Sequence, residues 1–169
     1  DNVACVITEP SLESADAIFQ HRDINLLLVT GGPAVARAAM RQAKRAIVAG
    51  PGNPPVVVDE TADLNRAARC IIDGAAYDNN LLCIAEKQVF VVDAVFDAMM
   101  AAMERAHAVR LNAAEFDAFT RVGIATVGEG EHKHDVPARE FLGKAASVLA
   151  AGIGKRVPSD VLLLFGETD

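Results

Sequence analysis

Several things are missing from this chain, and each absence removes a class of function. There is no CxxC and no paired Cys/His motif, and the three cysteines (Cys5, Cys70 and Cys83) are odd in number and widely spaced. That argues against a disulfide scaffold and a zinc site, and favours a reducing interior. Basic charge is scarce, with 16 Lys and Arg against 23 Asp and Glu and a net charge of −7. Nucleic acid and anionic membrane surfaces both favour basic patches, so neither is expected as a partner. No apolar run reaches the roughly 20 residues of a membrane span, and no basic and apolar leader opens the sequence. GxGxxG is absent, and so are internal repeats and low-complexity tracts.

What is present is apolar. The 169 residues are 51% hydrophobic and 23% charged, enough to bury a core. Val3–Thr8 has the β-rich composition of a short strand. Ser11 is suited to cap a helix whose apolar positions are Leu12, Ala15, Ile18 and Phe19. Ile24–Thr30 is a continuous apolar run of strand length, followed by Gly31, Gly32 and Pro33, and Ala34–Ala46 has helical composition. Ala46–Gly50 is a further strand. Strands apolar on both faces, alternating with helices, predict an α/β fold with mostly parallel sheets flanked by helices.

After the break GPGNPP (50–55), VVVD (56–59) predicts a strand. Residues 62–77 predict a helix with Asp63 at its start and Leu64, Ala67, Ala68, Ile71 and Ile72 on one face. Gln88–Val92 predicts a strand and 94–109 a helix with His107 near its end. Asn112 is expected to cap the next helix, and 128–137 reads as a polar loop. A helix over 138–152, stopped by Gly152 or Gly154, and a strand over 160–165 complete the expectation.

Cys83 lies in YDNNLLCIAEK, between a polar loop and a β-branched run. A thiol reacts as its thiolate, and a loop before a strand can present it to a cleft. Cysteine is also among the most buried residue types, so from the residue alone a packing thiol is the commoner outcome. Cys5 and Cys70 read as packing residues. Gly31 and Gly32 join a strand to a helix, where backbone N–H groups suit an anion, although a plain connecting turn has the same appearance. His132 and His134 flank Lys133 without a supporting acidic cluster, so no metal site is expected. Glu86 and Lys87 read as a surface salt-bridged pair.

Taken together, VTGGP, AGPGNPPVVVDETADL and GAAYDNNLLCIAEK resemble the aldehyde dehydrogenase superfamily and, within it, the coenzyme-A-acylating branch. DNNLLCIAEK is similar to the nucleophile loop of the propionaldehyde and acetaldehyde dehydrogenases of bacterial microcompartments. The resemblance implies that Cys83 is the acyl-carrying nucleophile and its N–H half of an oxyanion hole. It implies that Thr30, Gly31 and Gly32 border NAD, and that Gly50 and Gly52 let the chain pass close to that cofactor. It assigns residues 1–48 to the end of the NAD-binding domain and 49–169 to an incomplete catalytic domain, so that the chain is expected to be a middle fragment. The glutamate that activates water in hydrolytic members falls on Ala49. The substrates implied are a short-chain aldehyde and coenzyme A. A homo-oligomer and a cytoplasmic location, within a microcompartment shell, are also implied by the resemblance alone. The rival readings are an acyl-phosphate-reducing or hydrolytic relative and a non-enzymatic nucleotide-binding or scaffold domain.

Overall fold

In the computed structural model, which describes residues 3–50, 52–130 and 133–168, the chain forms two units, Asp1–Gly52 and Asn53–Asp169. The first begins its regular structure at Ser11. The Ser11 hydroxyl accepts the Ser14 N–H at 3.1 Å and the Ser14 hydroxyl accepts the Ser11 N–H at 2.9 Å, a reciprocal cap for α1 (Leu12–Gln20). Two parallel strands follow, β1 (Leu26–Thr30) and β2 (Arg45–Ala49), joined through α2 (Pro33–Met40). Their register runs from Leu26 opposite Arg45 to Thr30 opposite Ala49. Leu27 and Val29 face inward and bury against Phe19 and Ala39.

The second unit repeats the β-α-β order. β3 (Pro55–Val58) and β4 (Gln88–Val91) pair in parallel, from Pro55 opposite Gln88 to Val58 opposite Val91, with α3 (Leu64–Ala76) between them. Asp63 caps α3 by accepting the Arg66 N–H at 3.1 Å. The helix buries Ala68, Ile71, Ile72 and Ala75. Against that face packs α4 (Phe96–Arg105), which contributes Met99, Met100 and Met103 to the main core. Ile72 and Met99 are its least exposed large side chains, at 1% and 0%. Truncating a side chain so placed costs about 2–5 kcal/mol. β5 (Ala108–Leu111) pairs in parallel with β8 (Leu163–Gly166). Between them lie α5 (Ala113–Gly123), an antiparallel hairpin of β6 (Ile124–Val127) and β7 (His134–Pro137), and α6 (Ala146–Ala151).

The α/β class and the parallel pairing agree with the sequence, as do the caps at Ser11 and Asn112 and the start of α3 at Asp63. Several expectations need correction. Residues 3–10 form no strand and are exposed. α2 stops at Met40 rather than Ala46: the Arg41 N–H closes the last turn on the Arg37 carbonyl, and Ala46 is taken into β2 opposite Leu27. The helix expected over 94–109 ends at Arg105. His107 adopts a left-handed φ of 66°, its carbonyl accepts the Leu162 N–H at 2.9 Å, and its Nδ1 lies 3.2 Å from Asp160. It therefore turns the chain into β5 instead of ending a helix.

Part of the polar loop is strand: 134–137 pair with 124–127, and Thr126 Oγ1 donates to Asp135 at 2.7 Å. His132 lies outside the described residues. The helix expected over 138–152 is broken at Gly143, whose φ of 67° no helix accommodates, leaving a single turn at Arg139–Phe141 and the short α6. Nor are the strands covered on both faces. Leu28 of β1 and Val57 of β3 are 74% and 73% exposed, each on the face of its two-stranded sheet opposite the buried Leu27 and Val58. Among the described residues no helix is long and apolar enough to cross a membrane.

Candidate active site

α3 ends at Ala76, and the next turn is unusual. Asp78, Asn79 and Asn80 all take left-handed backbone angles, with φ of 50°, 52° and 61°. That conformation costs an ordinary residue about 1–2 kcal/mol, and aspartate and asparagine are the non-glycine residues that tolerate it best. The DNN run is therefore what this turn requires. Its side chains then fix it. Asn80 Nδ2 donates to the Ala75 carbonyl at 2.7 Å and to the Glu86 carbonyl at 3.1 Å, tying the start of the loop to its end. Asn79 Nδ2 donates to the carbonyl of Gly143 at 3.0 Å.

Cys83 stands in the loop so braced, exposed to solvent and next to the exposed Ile84. Lys87 closes the loop from beneath. Its Nζ donates to the carbonyls of Leu82 at 3.0 Å, Ala85 at 3.1 Å and Asn80 at 3.4 Å. Its backbone N–H reaches the Pro54 carbonyl at 3.1 Å and extends the β3–β4 pairing. Partial burial holds the Lys87 ammonium below the usual lysine range, and the negative charges of Cys83 and Glu86 oppose that shift. The Cys83 sulfur and the Lys87 ammonium are thus electrostatic neighbours. The carboxylate of Glu86 lies against Gly74 of α3, where any Cβ would collide with it. Glu86 and Lys87 make no ion pair with each other, contrary to the expectation of a surface salt bridge: the lysine serves the loop carbonyls instead.

Thr30, Gly31, Gly32 and Gly50 come together in the first unit, at the C-terminal ends of the paired strands β1 and β2. The Gly31 N–H donates to the Ala49 carbonyl at 3.3 Å, which ties the turn after β1 to the end of β2. A positive φ belongs to Gly31, at 155°, whereas Gly32 has a φ of −68° open to any residue. Gly32 caps α2 without any side-chain hydrogen bond, and no atom lies within 4 Å of where its Cβ, or that of Gly50, would stand. An uncapped helix N-terminus over an open glycine surface fits a phosphate or an amide edge of a dinucleotide. Gly52 is exposed in the irregular segment that follows, and Pro51 lies outside the described residues.

Cys5 and Cys70 are exposed, not packed in the core as their neighbours had suggested. Cys70 falls on the solvent side of α3, one residue before the buried Ile71. Exposure therefore does not single out Cys83; its braced loop does. Sequence reasoning overlooked Asn79, Asn80, Lys87 and Gly143 as parts of the site. Three consecutive residues of the type that tolerates left-handed angles were the available signal for the first two. Among the described residues no three metal-ligating side chains stand together.

Known proteins give this geometry its context. The model of the aldehyde dehydrogenase family matches residues 1–133. The acetylating acetaldehyde dehydrogenase EutE of Salmonella typhimurium is 45% identical over 99% of this chain and 36% of its own length. A propionaldehyde dehydrogenase from the fucose utilisation microcompartment of Clostridium phytofermentans superimposes with a TM-score of 0.84 at 37% identity, over 98% of this chain and 36% of that one. A Rhodopseudomonas palustris propionaldehyde dehydrogenase, solved with bound CoA and an acylated cysteine, gives 0.82 at 32% identity, over 95% and 35%. The chain thus spans about a third of the length of the relatives it matches. With a family model covering most of its residues and the same fold at this level of identity, the chain belongs to the aldehyde dehydrogenase family.

Proposed function

We propose that this chain is the central part of an NAD-dependent, CoA-acylating aldehyde dehydrogenase, with Cys83 as its nucleophile. The observation that carries the reading is an exposed thiol held in a loop whose carbonyls are gathered by Asn80 and Lys87. Such a loop costs left-handed backbone at three positions, the kind of strain that persists where function needs a fixed geometry.

In this reading the Cys83 thiolate attacks the aldehyde carbon. A carbon–sulfur bond forms and the carbonyl electron pair moves to oxygen, where the Cys83 N–H receives the charge. When bound, NAD⁺ takes up the hydride that leaves the same carbon. The carbonyl re-forms and Cys83 is left as a thioester. The thiolate of coenzyme A then attacks that thioester, and Cys83 departs as its own thiolate. Thr30, Gly31 and Gly32, with Gly50 and Gly52, form the surface along which the dinucleotide lies. The position that carries the water-activating glutamate in hydrolytic members is Ala49, and loss of a general base costs about 10²–10⁴-fold in the step it serves. The thioester therefore waits for a thiol. A short-chain aldehyde and coenzyme A are the substrates, and the full-length enzyme is a cytoplasmic homo-oligomer housed in a microcompartment.

The test is Cys83→Ala in the full-length enzyme. Aldehyde oxidation is lost while NAD⁺ affinity stays within about twofold. Cys5→Ala and Cys70→Ala, both at exposed positions, leave activity intact and stability within about 0.5 kcal/mol. An active Cys83→Ala enzyme would remove Cys83 as the nucleophile and leave it a surface thiol.

A further inference from the structure

The Lys87 ammonium sits on the carbonyl oxygens of Asn80, Leu82 and Ala85, at 3.4, 3.0 and 3.1 Å. The Leu82 carbonyl matters most, because it shares a peptide unit with the N–H of Cys83. The Ala85 N–H also donates to that oxygen, at 3.2 Å, so two donors hold it from the same loop. The chain has no cis peptides among the described residues. In a planar trans peptide the C=O and N–H point in opposite directions. Drawing the Leu82 oxygen toward Lys87 therefore turns the Cys83 N–H away from the lysine. Among the described residues that N–H donates to no acceptor, although most protein N–H groups are paired. Without Lys87 only the Ala85 N–H would hold the Leu82 oxygen, and the 82–83 peptide would be less firmly fixed, its N–H no longer aimed in one direction.

We infer that Lys87 is a positioning residue for the acylation step: by holding the Leu82 carbonyl it fixes the Cys83 N–H as a pre-aimed oxyanion donor. The inference rests on the reading of Cys83 as nucleophile. Lys87 touches neither aldehyde nor cofactor in this role; it acts through one peptide plane. Its ammonium suits the task better than a neutral donor, since one nitrogen with three protons can meet three converging carbonyls and charge-assisted hydrogen bonds are the stronger kind. Partial burial of that nitrogen and its closeness to the Cys83 charge agree with a residue turned toward the loop, not toward bulk solvent.

The experiment separates two reactions of the same sulfur in the full-length enzyme. Acylation by aldehyde passes through an oxyanion. Alkylation by iodoacetamide displaces iodide and forms none. Lys87→Met is compared with the parent in the CoA-free NADH burst and in the alkylation rate of Cys83, followed by site-resolved mass spectrometry at a pH where the thiol is fully ionised. Loss of an oxyanion donor typically costs about 10²–10³-fold, so the burst slows about 10²-fold. Plateau alkylation stays within about threefold of the parent, and so does the KM for aldehyde. If Lys87→Met fails to fold, Lys87→Gln, which retains one shorter donor, is measured in the same way with at least a tenfold slower burst expected. A burst within threefold of the parent overturns the inference. Burst and alkylation falling together also overturn it, because Lys87 is then only a strut for the loop. Cys83→Ala run alongside keeps the two readings apart: a persistent burst in that variant removes the nucleophile itself, whatever Lys87 does.

Discussion

Asn80 joins the two ends of the Cys83 loop, its Nδ2 lying 3.1 Å from the carbonyl of Glu86 and 2.7 Å from that of Ala75. It does this from a left-handed backbone with φ of 61°. Asn80→Ala removes both hydrogen bonds and places a residue with no local compensation in that conformation. The expected loss is about 2–5 kcal/mol, from about 1–2 for the backbone and about 0.5–1.5 for each of the two hydrogen bonds. Asn80→Gly loses the hydrogen bonds alone and costs about half as much, since glycine accepts the angle freely. Urea denaturation distinguishes them. Equal losses in the two variants would show that the backbone angle contributes nothing.

Much of the fold could be read from residue pattern, and the reasons are local. Ser11, Asp63 and Asn112 announce their helices because a cap is a short-range hydrogen bond between neighbours in sequence. The β-α-β order follows from apolar runs of strand length alternating with alanine-rich helices. The hidden features depend on partners far away in sequence. β5 lay concealed in a helical pattern because its partner is β8, some fifty residues on. Val3–Thr8 has strand composition but no neighbouring strand to pair with. At the proposed site, a family resemblance points to Cys83, whereas nothing in the sequence points to Lys87. A lysine beside a glutamate suggests a solvated pair until the loop's carbonyls are seen to converge on it.

Gly31 and Gly32 are expected to fail differently. Gly31 holds a φ of 155° that L-residues rarely adopt, so Gly31→Val strains the turn and lowers stability together with NAD⁺ affinity. Gly32 has an ordinary φ and open space where its Cβ would stand. Gly32→Val therefore leaves stability within about 0.5 kcal/mol, and any loss of NAD⁺ affinity reports a cofactor approaching that face. Isothermal titration of the full-length enzyme is expected to show weaker NAD⁺ binding with CoA binding, measured without NAD⁺, unchanged. NAD⁺ affinity equal to the parent's would remove Gly32 from the cofactor surface.

Glu115 gives a dependence on acid. Its carboxylate accepts Lys155 Nζ at 2.6 Å and, as the third residue of α5, the Asn112 N–H at 3.0 Å. The lysine first and the backbone N–H second hold its pKa below the usual glutamate value. A depressed folded-state pKa means that the folded state binds the proton less readily than the unfolded chain. The stabilisation is present above the ordinary glutamate pKa of about 4.3 and disappears as pH falls through the depressed value. Glu115→Gln should lower Tm at pH 7, and its gap from the parent should narrow between about pH 4.5 and pH 3. A gap that stays constant down to pH 3 would show that the charge of Glu115 contributes no stability.

In the proposed reading Ala49 decides what becomes of the acyl group. It is the last residue of β2, opposite Thr30, with its carbonyl taken by the Gly31 N–H and its side chain exposed. A methyl group cannot activate water, so the thioester on Cys83 has no built-in route to the free acid from this position. The full-length enzyme is expected to release about one NADH per site without CoA and then stall, and to turn over steadily once CoA is supplied. Ala49→Glu returns a carboxylate at the position the hydrolytic branch uses. Because the side chain is exposed and the hydrogen bond to Gly31 is made by backbone, the strand pairing tolerates the longer residue. Free acid formed without CoA should then rise at least tenfold over the parent, the lower part of what a general base contributes being about 10². The unmutated enzyme supplies the sharper measurement, stopped-flow NADH absorbance with and without CoA. Steady NADH production without CoA at the CoA-dependent rate would mean that another group activates water. The acylating assignment would then give way to a hydrolytic one, with Cys83 still the nucleophile.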